Sequence, residues 1–149
     1  MGLIMKKFEE LMSVGSEIEN ITAENAKKKI NDPNVQFIDV RDKESFSKGT
    51  IGNAVHMERG LLEFYLAEGS PLENDIFKNN PDKEFVVFCG LGGQGTLATK
   101  THERHGCKKC QKYFWWNVGM GKSKRLTFIY FLNLNKEQQT MKNFVHPLV

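Results

Sequence analysis

Phe85-Val86-Val87-Phe88-Cys89-Gly90-Leu91-Gly92-Gly93-Gln94-Gly95-Thr96 is the stretch that decides the fold. A short apolar, β-branched and aromatic run predicts a buried strand, and the glycines after it predict a tight loop opening into a helix. Cys89 is thereby delivered to the C-terminal end of a strand. Loop N–H groups and a helix N-terminus facing it there stabilise an anion, including a thiolate.

Helix, turn and strand signals alternate upstream of this run. Thr22 is placed to cap a helix over Ala23 to Ile30, which the Asn31-Asp32-Pro33-Asn34 turn ends. Val35 to Val40 reads as a buried strand, Lys43 to Lys48 as a short helix closed by Gly49, and Ala54 to Met57 as a short strand. Gly60 to Leu66 is helical with one apolar side, and Thr96 to Arg104 is the helix after the loop, stopped by Gly106. Strands alternating with helices imply an α/β fold with a mostly parallel sheet, whose ligands bind beyond the C-terminal strand ends.

The chain has 149 residues, 40% hydrophobic, which suffices for one domain with its own core. Residues 1–20 read as a loosely attached leader with a short amphipathic helix around Phe8, Leu11 and Met12. No apolar run is long enough to cross a bilayer, and Met1 to Met12 lacks the apolar core and cleavage site of a secretory signal, so a cytoplasmic protein is expected. Three cysteines do not make a disulfide framework, which favours a reducing compartment.

Three chemistries compete for the glycine loop. Gly90-x-Gly92-x-x-Gly95 fits a dinucleotide fingerprint, but the loop comes late in the chain and no Asp or Glu lies between Arg104 and Lys136 to hold a ribose. An inert core cysteine would not require four glycines in six residues, whose conformational freedom is costly unless used. A nucleophilic cysteine with its thiolate held by loop N–H groups uses every feature.

The chain resembles the rhodanese-like sulfurtransferase domains. The resemblance rests on Ile38-Asp39-Val40-Arg41-Asp42, on Phe46-x-x-Gly49-Thr50-Ile51-x-Asn53-Ala54-Val55-His56-Met57-x-Arg59-Gly60, and on Phe85 to Cys89 with its loop, and it covers residues 21 to about 101. It implies a three-layer fold, a central parallel sheet flanked by helices. It further implies that Cys89 takes a sulfane sulfur as a persulfide from a small-molecule or protein donor such as thiosulfate and passes it to a thiol or other thiophilic acceptor. Gly90, Leu91, Gly92, Gly93, Gln94 and Gly95 would form the N–H cradle, Arg59 would help attract an anionic donor, and Asp39 and Arg41 would be architectural, as would a partly buried His56. No cofactor, metal, nucleic acid or membrane is required. The alternative is a non-catalytic interaction or sulfur-relay module of the same fold.

Some positions depart from the family. Thr50 and Gly52 stand where many relatives have His and Pro, and Gln94 stands where an Arg is frequent, removing a bidentate anion binder. That loss also weighs against the phosphatase and arsenate-reductase variants of the fold.

Residues 100–149 carry 10 Lys+Arg against 2 Asp+Glu, whereas residues 1–99 carry 11 against 16. A basic tail of this kind reads as binding nucleic acid or acidic lipid, and His102-x-x-His105-Gly106-Cys107-x-x-Cys110 has zinc-like spacing. A different origin accounts for both. Shifting the codons forward by one base forces Gly-Gly from Trp115-Trp116 and Trp from Met120-Gly121, and permitted codons turn His102 to Ser123 into MKDMGVKNVKNIFGGMWEWEKA. This is the ending the family leads one to expect, an Asn-containing strand followed by Gly-Gly and Trp. Residues 102–149 are therefore read as frame-shifted from near Thr101, with 21–121 the domain, 102–121 its departing end and 122–149 an atypical tail. On that reading the His/Cys cluster and the basic excess are accidental. The native last strand and helix would be replaced, stability would suffer, and the Leu126 to Leu132 run would favour aggregation. An intact DNA read across codons 99–103 in the present frame would sink the idea.

Overall fold

The computed structural model describes residues 5–114. Five strands, β1 (Glu19–Ile21), β2 (Val35–Asp39), β3 (Val55–His56), β4 (Glu84–Cys89) and β5 (Cys110–Phe114), form one sheet in the order β1-β5-β4-β2-β3. Every pairing is parallel. The helices are α1 (Phe8–Met12), α2 (Ala23–Lys29), α3 (Lys43–Ser47), α4 (Leu62–Leu66) and α5 (Gly93–Arg104). Among the described residues, 12–114 fall in one compact unit, and no helix is long and apolar enough to cross a membrane.

Strand alternation splits the core into two layers. Phe85, Val87 and Cys89 of β4, with Ile38 of β2 and Val40 just after it, pack with Leu62 of α4 and Ala98 of α5. Val86 and Phe88, with Val35 and Phe37, pack on the other face with Ala26 of α2. Phe85 to Cys89 is the continuous apolar run that a strand buried on both faces favours, and all five β2 residues are buried too, Gln36 and Asp39 among them. The expected α/β fold, a parallel sheet between helices, is thus the observed one.

Local signals hold where their partners are near in sequence. The Thr22 hydroxyl accepts from Asn25 N–H at 3.2 Å and caps α2, and Asp42 caps α3 by accepting from Ser45 N–H at 2.9 Å. Gly52 has φ +50°, and a Cβ there would lie 2.9 Å from Ile30 Cγ2. Gly52→Ala is expected to cost about 1–2 kcal/mol, from left-handed strain plus the clash. Urea denaturation checks this, and a loss of only a few tenths would contradict the assignment.

Two boundaries differ from the sequence reading. Within the expected leader, residues 13–20 are not loose: Ile18 is buried, β1 pairs with β5, and Glu17 meets Lys100 at 3.1 Å. A three-residue edge strand carries too little pattern to announce itself, because its partner lies some ninety residues on. Helix α5 starts at Gly93 rather than Thr96, since Gly92 takes φ +87° and turns the chain directly into helix.

The end of the described chain also differs. Cys110–Phe114 does form a strand, paired along β4, and Cys107 and Cys110 are joined by a disulfide, a pairing the cysteine count had not suggested. The Leu126–Leu132 run and the remaining tail lie outside the described residues.

Position 102 holds a fully buried histidine edge-on to Phe77, with ring centroids 4.9 Å apart. Among the described residues neither ring nitrogen has a hydrogen-bond partner. Burial first, then the charges of His105 and Arg59, push its pKa down to about 3 from 6.5. The unfolded chain therefore binds a proton that the folded one refuses. Stability is full above pH 6.5 and falls as pH drops towards 3, by roughly 1 kcal/mol per pH unit for this one group. Denaturation midpoints between pH 7.5 and 5 should fall more steeply for the parent than for His102→Met. Equal slopes would contradict it.

Candidate functional site

The site is built on the end of β4. Cys89 is buried, its side chain directed into the layer that holds Leu62 and Ala98. The chain then rises through Gly90 and the exposed Leu91 before Gly92 turns it back. Left-handed backbone at Gly92 directs its N–H at the sulfur, which it reaches at 3.0 Å. One helical turn on, Gly95 N–H donates to the same sulfur at 3.2 Å. Both belong to the Gly92 to Gly95 entry of α5, so two N–H groups and the positive end of the helix dipole converge on Sγ.

The floor of the loop is hydrogen-bonded. Thr96 donates its N–H and its hydroxyl to the Gly92 carbonyl at 2.9 and 2.8 Å, and Thr99 Oγ1 donates to the Gly95 carbonyl at 2.8 Å. A methyl group on Gly95 would sit 3.6 Å from Sγ, in ordinary contact. Gly93 is half-buried, while Gln94 is exposed on the outer side of the first helical turn. The loop therefore presents neutral N–H donors and no guanidinium at the position where the family frequently carries one.

Asp39 and Arg41 form a closed unit behind the site. The Arg41 guanidinium donates from Nε to Oδ1 at 2.9 Å and from an Nη to Oδ2 at 2.6 Å, while Asp39 is fully buried. The same Nη reaches the Gly49 carbonyl at 2.6 Å, and Thr50 Oγ1 donates to Asp39 Oδ2 at 2.8 Å. Arg41 N–H also donates to Asp39 Oδ1 at 3.1 Å, so the carboxylate accepts from Arg41 backbone and side chain and from Thr50. His56 is half-buried, stacked on Phe46 at 4.5 Å, with Nε2 2.7 Å from the Arg41 carbonyl. These residues tie β2, β3 and α3 together.

Arg59 begins a 3-10 turn, Arg59–Leu61, and its N–H donates to the Val40 carbonyl at 3.1 Å. Its guanidinium is paired with Glu63 at 3.2 Å. The zinc-like cluster does not assemble: His102 is in the core, Cys107 and Cys110 form a disulfide, and among the described residues no three His, Cys, Asp or Glu gather as metal ligands.

Two polar residues near the sulfur were not singled out from sequence. Thr96 gave a signal, since a hydroxyl four residues after a loop carbonyl is placed to close it. Lys112 is 3% exposed and its Nζ donates to Thr96 Oγ1 at 3.0 Å. Burial pushes its pKa down to about 8, and the charge of Cys89 pushes it back up. No sequence signal marks a lysine as buried, because lysines are almost always exposed.

The comparisons with known proteins agree with this geometry. No curated protein sequence matches the chain significantly. Among solved structures, a Rhodopseudomonas palustris protein of unknown function, described as a possible tyrosine phosphatase, is similar at 29% identity and TM-score 0.67, over 76% of this chain and 88% of that one. A human single-domain sulfurtransferase shares 21% identity at TM-score 0.54, over 66% and 90% of the two chains. An uncharacterised Saccharomyces cerevisiae protein shares 23% at TM-score 0.54, over 64% and 84%. The model of the rhodanese-like domain matches residues 22–114, from the cap of α2 to the end of β5. A parallel sheet in this order, a glycine cradle at the end of β4 and a match over most of the chain make this protein a member of the rhodanese-like domain family.

Proposed function

We propose that the protein is a sulfurtransferase that carries sulfane sulfur on Cys89. The observation that supports it best is the sulfur itself, buried at a parallel strand end with the N–H groups of Gly92 and Gly95 at 3.0 and 3.2 Å. A cradle of neutral N–H donors suits a monoanionic persulfide and needs no bound metal or cofactor. In the first half-reaction the Cys89 thiolate attacks the outer sulfur of thiosulfate. The donor S–S bond breaks, sulfite leaves with the electron pair, and Cys89 carries a persulfide anion. In the second, an acceptor such as cyanide or a thiolate attacks the terminal sulfur and regenerates the Cys89 thiolate. Cys89 is the free cysteine among the described residues, so its thiol is available for this step.

The phosphatase description of the Rhodopseudomonas palustris protein offers a second reading. Gln94 argues against it here. A phosphoryl transition state spreads charge over three oxygens and calls for a cation among the loop donors, whereas Gln94 is neutral and Arg59 is paired with Glu63.

Mass spectrometry after exposure to thiosulfate tests the proposal. A gain of one sulfur on the Cys89 peptide, removed by cyanide, is the expected result. An unmodified peptide would instead leave an interaction or relay module of the same fold.

A further inference from the structure

We propose that the rim beside Cys89 is a docking surface for a protein thiol, a cysteine carried on a basic segment with an apolar residue next to it. The inference rests on Cys89 being the sulfur carrier, and it names the class of acceptor that this site takes.

Apolar exposure is concentrated around the sulfur. Leu91, at the crest of the Cys89 loop, is 66% exposed and Phe64 of α4 is 54% exposed, and Leu61 and Leu72 are exposed as well. The other large apolar side chains exposed among the described residues, those of Met5, Phe8 and Leu11, precede the compact unit, which begins at Met12. Backbone bonds bring the four together. Val40 N–H donates to the Phe88 carbonyl at 3.1 Å and Arg59 N–H donates to the Val40 carbonyl at 3.1 Å, so the segments leading to Leu91 and to Leu61 leave the sheet on either side of Val40. Leu62, Tyr65 and Leu66 pack inwards onto the Cys89 layer, which leaves Leu61 and Phe64, three residues apart, on the outer face. Asn74 N–H donates to the Tyr65 carbonyl at 2.9 Å and ties the Leu72 segment to α4. Single exposed apolar side chains call for no explanation, whereas a set gathered at the edge of a reactive site marks an interface.

Charge selects the partner. Residues 58–78 carry five Asp+Glu against Arg59 and Lys78, a net −3. Arg59 is paired with Glu63, and Lys78 lies 3.7 Å from Glu68 and 4.0 Å from Glu73. Both cations are thus met by carboxylates of the same segment, and the face stays acidic. Such a face repels nucleic acid and anionic lipid and attracts a basic protein segment. Cyanide or thiosulfate has no use for exposed apolar side chains. A protein that must bring its cysteine to the buried Cys89 sulfur has to be held at the rim, and apolar anchors hold it there.

Thiol–disulfide exchange tests this without a sulfur donor. The probes share a thionitrobenzoate leaving group: a short peptide with lysines and a leucine around its cysteine, the same peptide with glutamates for the lysines, and mercaptoethanol. The Cys89 thiolate attacks the aliphatic sulfur of the probe, the S–S bond breaks, and thionitrobenzoate leaves with the electron pair. Mass of the Cys89 peptide locates the adduct, and each probe's rate is divided by its own rate with free mercaptoethanol. At low salt the parent should prefer the basic peptide to the acidic one by roughly tenfold, a ratio that salt reduces. Phe64→Ser should lower the basic-peptide rate by roughly fivefold and leave the mercaptoethanol rate unchanged. Glu68→Lys, at a side chain 88% exposed, should lower the basic-peptide rate about threefold at low salt. Both variants should melt with the parent. Equal rates for the two peptides overturn the proposal, as does a parent-like peptide rate in Phe64→Ser. Equal losses on peptide and mercaptoethanol would make Phe64 structural and overturn it equally. A peptide rate that rises in Phe64→Ser would mean that a second copy or another part of the chain already covers the face, and would overturn it too. A parent chain that passes this test yet takes no sulfur from thiosulfate would sink the sulfurtransferase reading alone.

Discussion

Cys89→Ser is expected to abolish sulfur transfer, lowering thiocyanate formation from thiosulfate and cyanide by ~10^4-fold or more. A serine hydroxyl stays protonated at neutral pH and forms no persulfide, so no residual route passes through it. The fold should survive. Gly92 and Gly95 N–H groups, now on Sγ at 3.0 and 3.2 Å, have a hydroxyl oxygen to donate to instead, and a change this small at a satisfied site keeps the melting temperature within about 5 °C. Continued turnover by the folded variant would show that the activity does not depend on this cysteine.

Replacing His102 to Ser123 by MKDMGVKNVKNIFGGMWEWEKA is expected to raise the melting temperature by about 5 °C or more. The described part of that segment supplies the physical reasons, position by position. His102→Met replaces a buried ring with both nitrogens unpartnered among the described residues. Such a group costs about 1–3 kcal/mol, worth several degrees in a domain of this size. Cys110→Val and Tyr113→Ile place β-branched residues in a central strand. Gln111→Lys sets a cation directly opposite Glu19 across the β1–β5 pair, where Gln111 Oε1 is now buried without a partner among the described residues. Thermal denaturation of the two chains checks the effect. A replaced chain that melts no higher than the parent would count against a shifted frame, as would an intact DNA read across codons 99–103.

The α/β class, the parallel sheet and the place of Cys89 at the end of a strand were legible in the sequence. Burial makes Phe85 to Cys89 of β4 a continuous apolar run and keeps Val35, Phe37 and Ile38 of β2 apolar, and caps at Thr22 and Asp42 act over three residues. The glycines from 90 to 95 also marked the cradle, since only a loop that curls around an atom uses so much backbone freedom. Edge strand β1 was not legible. It is three residues long, and its reason to exist, pairing with β5, is a contact between opposite ends of the domain.

Sequence alone could determine whatever is written in periodicity, local capping and glycine placement, because those signals act within a turn or two of the chain. It therefore determined the fold class, Cys89 as the candidate nucleophile and the Asp39 and Arg41 pair two residues apart. Tertiary structure alone decided which N–H groups reach the sulfur, and that His102 and Lys112 are buried. The physical reason is that burial and charge pairing are sums over neighbours distant in sequence. A lysine on β5 and a threonine on α5 became part of one site only when the sheet closed beside the helix.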